Sequence, residues 1–232
     1  MSGPVLTRRE RQRQETISEI KQLAREQVSA GGAAAVSLNA IARAMAMSPG
    51  ALYRYYDSRD DLLAALAVDA YDALADELER AAGEATDKAG SAAERLARIA
   101  GAYRDWAIEH PNTYRLIFET SAGSGKDLAH DEIVTAASRS MDVVLAVLAQ
   151  LGPLAQPIPL PAGLGDEVSA WGRRTRYPEL PVGVLHLALA FWARLHGLVS
   201  LDIGHHLEAT GVSAGLLIEA EITELLRKFS LG

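Results

Sequence analysis

The sequence contains no cysteine. That excludes a disulfide, a thiolate nucleophile, an iron–sulfur cluster and a cysteine-based zinc site, and it suits a reducing compartment. Strand signals are nearly as scarce. There is little period-2 alternation, and Ala, Leu, Glu and Arg, all good helix formers, dominate. A long apolar run is missing too. The most apolar stretch, Pro181 to Leu195, carries His186 and Arg194 and falls short of the ~20 residues of a membrane span. Residues 8–15 are all polar, so the N-terminus does not read as a secretory signal. The expectation is a soluble, cytoplasmic chain with no membrane partner.

What is present is apolar content. Of 232 residues 49% are hydrophobic, enough for a large buried core and against global disorder. The length suits one or two domains. Lys and Arg number 23 against 30 Asp and Glu, a net charge of −7. As an average that points away from nucleic acid, but the distribution matters more. Residues 1–56 hold eight basic and four acidic side chains; residues 57–232 hold 15 and 26. A basic head is joined to an acidic body.

Helical periodicity predicts a chain of helices. The first covers about Thr7 to Ser29, with Ile17, Ile20, Ala24 and Val28 on one stripe, and Gly31-Gly32 breaks it. Ser37 caps a short helix over 38–45, and Ser48 with Pro49 at the first helical position opens another over 48–55. Ser58 with Asp61 resembles a capping box before a long helix over 59–82. Residues 83–90 and 121–126 read as loops, and further helices are expected over 91–109, 111–119 and 131–151. His110-Pro111 separates the first two of these. Residues 152–181 hold six of the nine prolines and read as a long irregular connection. Helices over 182–203 and 213–229 close the chain, the last with Ile218, Ile222, Leu225 and Phe229 in register.

The informative stretch is Ser37 to Leu63. Two short helices joined by a tight turn form a helix-turn-helix, whose second helix enters the ~12 Å wide major groove. The small residues Ser48, Pro49, Gly50 and Ala51 let that helix approach base edges. Tyr53 and Tyr55 offer hydroxyls to phosphates, Arg54 suits guanine or phosphate, and Arg59 adds charge at the next helix start. Leu52 and Tyr56 are expected to face the core.

The run Ala40-Ile41-Ala42, then Ser48-Pro49-Gly50-Ala51-Leu52-Tyr53-Arg54-Tyr55-Tyr56, then Ser58-Arg59-Asp60-Asp61-Leu62-Leu63 resembles the N-terminal domain of TetR-family transcriptional regulators. Tyr55-Tyr56 stands in for the family's His-Phe, and Arg59 for its Lys. The resemblance implies an all-α fold: a three-helix helix-turn-helix domain at 1–58, a linking helix at 59–82, and a helical-bundle ligand-binding and dimerisation domain at 83–232. It implies a DNA-binding set of Ser37, Ser48, Pro49, Gly50, Ala51, Tyr53, Arg54, Tyr55 and Arg59. Arg8, Arg9, Arg11 and Arg13 lie where family members extend a basic arm.

Two C-terminal segments add to the resemblance. His110 to Phe118 is similar to a stretch common in members, and Trp192-Ala193-Arg194-Leu195-His196-Gly197 resembles the Trp-His-Gly signature of one subgroup. By that resemblance the last two helices pair across a homodimer, with Leu195, Val199, Ile218, Ile222 and Leu225 as interface candidates. The alternative is that this stripe completes the core of one chain. Tyr103, Trp106, Tyr114, Phe118, Met141 and Trp192 are the candidate lining of an effector pocket. The implied partners are a double-stranded DNA operator, a small-molecule effector and a second copy. The implied role is a repressor released from a palindromic operator, with activator, or a helical enzyme, as the alternative.

No nucleophile–base pair stands out, so no catalytic residue is assigned and no enzyme is expected. His186 and His196 lie ten apart on one helix, ~15 Å along its axis, too far to share a metal. Ala122-Gly123-Ser124-Gly125-Lys126 lacks the phosphate-loop spacing. No metal and no cofactor are expected.

Overall fold

The computed structural model describes residues 7–83, 91–118, 127–150 and 160–228. Ten α-helices and no strand occur among them: α1 Arg8–Gly31, α2 Leu38–Ala44, α3 Pro49–Leu52, α4 Arg59–Gly83, α5 Ala92–Glu109, α6 Pro111–Phe118, α7 Asp127–Leu148, α8 Leu164–Gly172, α9 Val182–Ile203 and α10 Ala214–Lys228. The all-α expectation holds.

The contacts divide the chain differently from the three consecutive stretches read from sequence. One compact unit comprises Met1–Ala70 with His110–Val134; the other comprises Tyr71–Glu109 with Thr135–Gly232. The physical reason is α6. Its Leu116 is buried in the same apolar cluster as Ile20, Ala24 and Val28 of α1, Ile41 of α2, Leu52 of α3 and Leu62 of α4. Its Asn112 Nδ2 donates to the Ser29 carbonyl at the end of α1 (2.8 Å).

In the first unit, α1 begins with a full capping box. Thr7 Oγ1 accepts from the Glu10 N–H (3.3 Å), and the Glu10 carboxylate accepts from the Thr7 N–H (2.7 Å). The Thr7 hydroxyl also donates to the Glu10 carboxylate (2.7 Å), and this bond, then the Thr7 N–H, holds that carboxyl below its ordinary range. Gly32, at a φ of 71°, ends the helix in a conformation that glycine adopts without strain. Lys21 and Arg25 of α1 both pair with Asp69 of α4 (2.7 and 3.2 Å), which commits two of the head's eight cations to the fold.

In the second unit, α9 is the central helix. Eight of its residues, from Val184 to Ile203, are buried, and it contacts α10, α8 and α5. Sequence reading placed the apolar stretch below spanning length. The helix in fact runs 22 residues and is long and apolar enough, by length and composition alone, to cross a membrane. Here it packs against three neighbouring helices, with eight of its residues buried. Helix α8 also corrects the sequence reading, which left 152–181 irregular. The prolines sit at either end of that stretch and leave 162–177 free of them. Gly163 and the first-turn acids Asp166 and Glu167 then open a helix. Gly172 lets α8 lie close on α9, since a Cβ there would collide with Leu185. Arg139 of α7 bonds Asp72 (2.9 Å), Asp76 and Glu79 (3.0 Å) along α4.

The expected helix ends elsewhere agree within a few residues. The exception is α3, which stops at Leu52 rather than 55. Arg54 and Tyr55 donate to carbonyls three residues back, Ala51 (3.3 Å) and Leu52 (2.9 Å), so the chain tightens out of the α form. The loops expected at 83–90 and 121–126 fall, apart from Gly83, outside the described residues, as does Phe229.

Candidate nucleic-acid interface

The site is built from serine caps and a small apolar anchor. Ser37 caps α2, its Oγ accepting from the Ala40 N–H (3.3 Å). Its own N–H donates to Gln27 Oε1 on α1 (2.8 Å), a tie that sequence reading missed. Leu38, Ile41 and Ala42 bury the inner face of α2. The turn then passes through Ala46 in the left-handed region, at a φ of 53°, and the Met47 N–H returns to the Ala42 carbonyl (2.8 Å).

Ser48 caps α3 by accepting from the Ala51 N–H (3.3 Å), with Pro49 at the first helical position. Leu52 is fully buried and pins this four-residue helix to the core. Everything outward of it is open: Ser48, Pro49, Gly50, Tyr53 and Arg54 are exposed, and Ala51 is half-exposed. Tyr53 stands 46% exposed, a large aromatic left in solvent.

Three residues of the expected set have other engagements. Tyr55 is half-buried against the core cluster, with the Arg13 guanidinium 5.2 Å from its ring centre, a cation–π geometry. Ser37 is half-buried and spent on its cap. Arg59 has the most extensive of these engagements. Its Nε donates to the Val36 carbonyl (3.1 Å) and its Nη2 to the Ala33 carbonyl. It therefore ties the 3-10 turn at Ala33–Ala35 to the start of α4, with its side chain still 40% exposed. Tyr56 packs on the core as expected. Burial, reinforced by the charge of Asp69, pushes its phenol above the ordinary range.

The remaining cations of the head are exposed: Arg8, Arg9, Arg11 and Arg13 on α1, Arg43 at the end of α2, and Arg54. Arg43 was not singled out in the sequence, though a basic residue in the last turn of the first short helix was its signal.

The other expected residues fall as follows. Leu195, Val199, Ile218, Ile222 and Leu225 are all buried within a single chain, none more than 5% exposed. Their stripe joins α9 to α10 in one chain, and the outward positions of these helices are different residues. The six candidate pocket residues do not share one unit. Tyr114 and Phe118 lie in the first, their ring centres 4.8 Å apart. Tyr103, Trp106, Met141 and Trp192 lie in the second. There the Tyr103 hydroxyl bonds His196 Nδ1 (3.2 Å), and His196 stacks on Trp192 with ring centres 5.3 Å apart.

Residues 20–66 match the family described as bacterial regulatory proteins, tetR family, and residues 96–225 match the tetracyclin repressor-like C-terminal domain. The chain belongs to the TetR family. It is a transcriptional regulator with a DNA-binding helix-turn-helix, and regulators of this family are not enzymes. The regulator is 42% identical over 106 residues to the HTH-type transcriptional regulator Rv1816 of Mycobacterium tuberculosis, a match covering 46% of this chain and 44% of that one. The matched segment thus spans less than half of that curated relative. A protein of solved structure, SCO4313, is 37% identical with a TM-score of 0.74, over 95% of the regulator and 99% of that chain. A tetR-family regulatory protein from Rhodococcus RHA1 superposes with a TM-score of 0.59 at 18% identity, over 93% and 97% of the two chains, which speaks for the fold alone.

Proposed function

We propose that the protein is a homodimeric repressor that holds a palindromic operator and leaves it when a small-molecule effector binds. One observation carries the DNA reading. The four residues of α3 and the turn after it present Ser48, Pro49, Gly50, Tyr53 and Arg54 outward, while Leu52, followed by Tyr55 and Tyr56, anchors them to the core. That is the arrangement of a helix set to read a groove: small residues for close approach, and an arginine and a tyrosine for base and phosphate. The six exposed arginines supply the sequence-independent attraction.

Two copies are needed because half-sites lie one helical turn apart, ~34–36 Å. The outward side of the last two helices supports pairing there. Val182 and Leu201 of α9 and Leu216 of α10 are large apolar residues left exposed on the sides turned away from the buried stripe. An effector that binds better to a conformation with the wrong half-site spacing shifts the population off DNA. A DNA-bound role of this kind places the protein in the cytoplasm.

Selection of binding sites from genomic DNA, followed by sedimentation of free and DNA-bound protein, tests this. The expected result is an inverted repeat bound by a dimer. A monomer bound to a single half-site refutes the homodimer, and raised transcription from the bound promoter assigns activation instead of repression.

A further inference from the structure

A cavity of about 600 Å³ opens between α5 and α10, within the second unit. Its size is that of small-molecule sites. None of the six aromatic and methionine candidates read from the sequence lines it. Its apolar wall comes instead from Ala93, Ala97 and Gly101 of α5 and Gly215, Ile218 and Ile222 of α10. The first three recur every four residues, so small side chains stack along one face of α5 and leave the space open. Gly101 sits in the interior of α5, where glycine weakens a helix. No protein packing requires it, because an added Cβ would meet nothing within 4 Å.

Charge at the rim selects the occupant. Arg104 is neutralised by Asp202, with Nε and Nη2 each 3.0 Å from Oδ2. Arg227 is neutralised by Glu224 through two bonds of 2.8 and 2.9 Å. Asp202 and Glu224 lie outside the lining, so both rim cations are balanced from elsewhere. The rim's own carboxylates are Glu94, Asp105 and Glu219. Glu94 accepts from the Ser91 N–H. Asp105 has only a 3.9 Å approach to Arg104 and is 80% exposed. Glu219 is exposed, with no hydrogen bond or ion pair among the described residues. An apolar wall under surplus negative charge, on a body that is itself acidic, complements one kind of small molecule.

The geometry points to this cavity as the binding site of an apolar cation, with its hydrocarbon against Ala97, Gly101 and Ile222 and its positive group between Asp105 and Glu219. As the site of the effector this rests on the repressor reading above; as a binding site it stands on the cavity alone.

The test is calorimetric titration of the full-length protein with decyltrimethylammonium and with decanoate, both kept below micelle formation. The two share a ten-carbon chain length and differ in the sign of the head. One decyltrimethylammonium per chain is expected, with decanoate at least tenfold weaker. Asp105→Asn with Glu219→Gln should weaken the cation at least tenfold. Gly101→Leu and, separately, Ala97→Leu should fill the cavity and abolish binding while the thermal midpoint holds. Equal affinity for the two probes overturns the assignment, as does binding unchanged in both leucine variants. A dimer that falls to monomer in Gly101→Leu overturns it too, since the occupant is then a second copy. Operator binding, followed with and without decyltrimethylammonium, separates the two readings. Binding at the cavity without loss of operator affinity keeps the site and removes its role as effector site. Operator release that persists in the leucine variants keeps the effector and removes the site.

Discussion

Replacing Arg59 by alanine separates a structural arginine from a phosphate ligand. Its guanidinium donates to the carbonyls of Val36 and Ala33, joining the turn after α1 to the start of α4. A hydrogen bond with one charged partner is worth roughly 1.5–3 kcal/mol. The side chain is 40% exposed, so water replaces much of that on truncation, and about 1–2 kcal/mol remains for the pair. For a chain of this length each kcal/mol moves the thermal midpoint by roughly 2–4 °C, so Arg59→Ala should lower Tm by roughly 2–8 °C. Thermal melting followed by circular dichroism reads this directly. Operator affinity, measured well below the transition, should change little, and so should its dependence on salt. The reasoning fails if Tm is unmoved while affinity drops and the slope of log K against log salt becomes shallower by about 0.9. That pattern is the loss of one phosphate contact.

Arg54→Ala should do the reverse. It should leave Tm in place and weaken operator binding by about 1–3 kcal/mol if the side chain reads a base, as seen in mobility-shift titrations. An unchanged affinity removes Arg54 from the groove. Leu52→Ala, at a site with no exposure, should cost about 2–5 kcal/mol, visible as a lower denaturant midpoint; a wild-type midpoint would show that this anchor is dispensable. Alkaline stability should depend on Tyr56 and Tyr71, whose phenols burial pushes above the ordinary range. A raised folded pKa gives stability that is whole below the unfolded value of about 10 and is lost as pH climbs through the folded one. Tyr71→Phe should therefore shrink the loss of stability above about pH 10, checked by denaturation at pH steps against ultraviolet titration of the phenols.

Helix ends were legible wherever the chemistry is local. Ser37, Ser48 and Ser58 each cap a helix through the N–H three residues on, and a serine before an apolar run carries that information by itself. The proline cluster misled the reading of α8, because six prolines in thirty residues look like continuous irregularity when only their spacing matters. The structural bonds of Arg59 went unforeseen for a different reason. A cation at a helix start is a local pattern, but its acceptors are backbone carbonyls 23 and 26 residues upstream, and a carbonyl has no sequence signature. The stripe of Ile218, Ile222 and Leu225 posed a third problem. An apolar stripe has the same period whether it meets its own core or another chain, and only burial within one chain tells them apart. The cavity beside α10 had no sequence signal of the expected kind, since alanines and glycines make it and aromatics do not.

Helix α3 also bears on how such a protein diverges. In four residues it keeps one side chain, Leu52, for the interior, and its start is set by Ser48 outside the helix proper. Under the proposed function, the demands of folding and of target choice therefore fall on different positions. Gly50, Ala51, Tyr53 and Arg54 can be exchanged with little penalty to the head that carries them, so the bound sequence is free to drift while the architecture stays. A duplicated copy could acquire a new operator in a handful of substitutions, none of which needs a compensating change in the core.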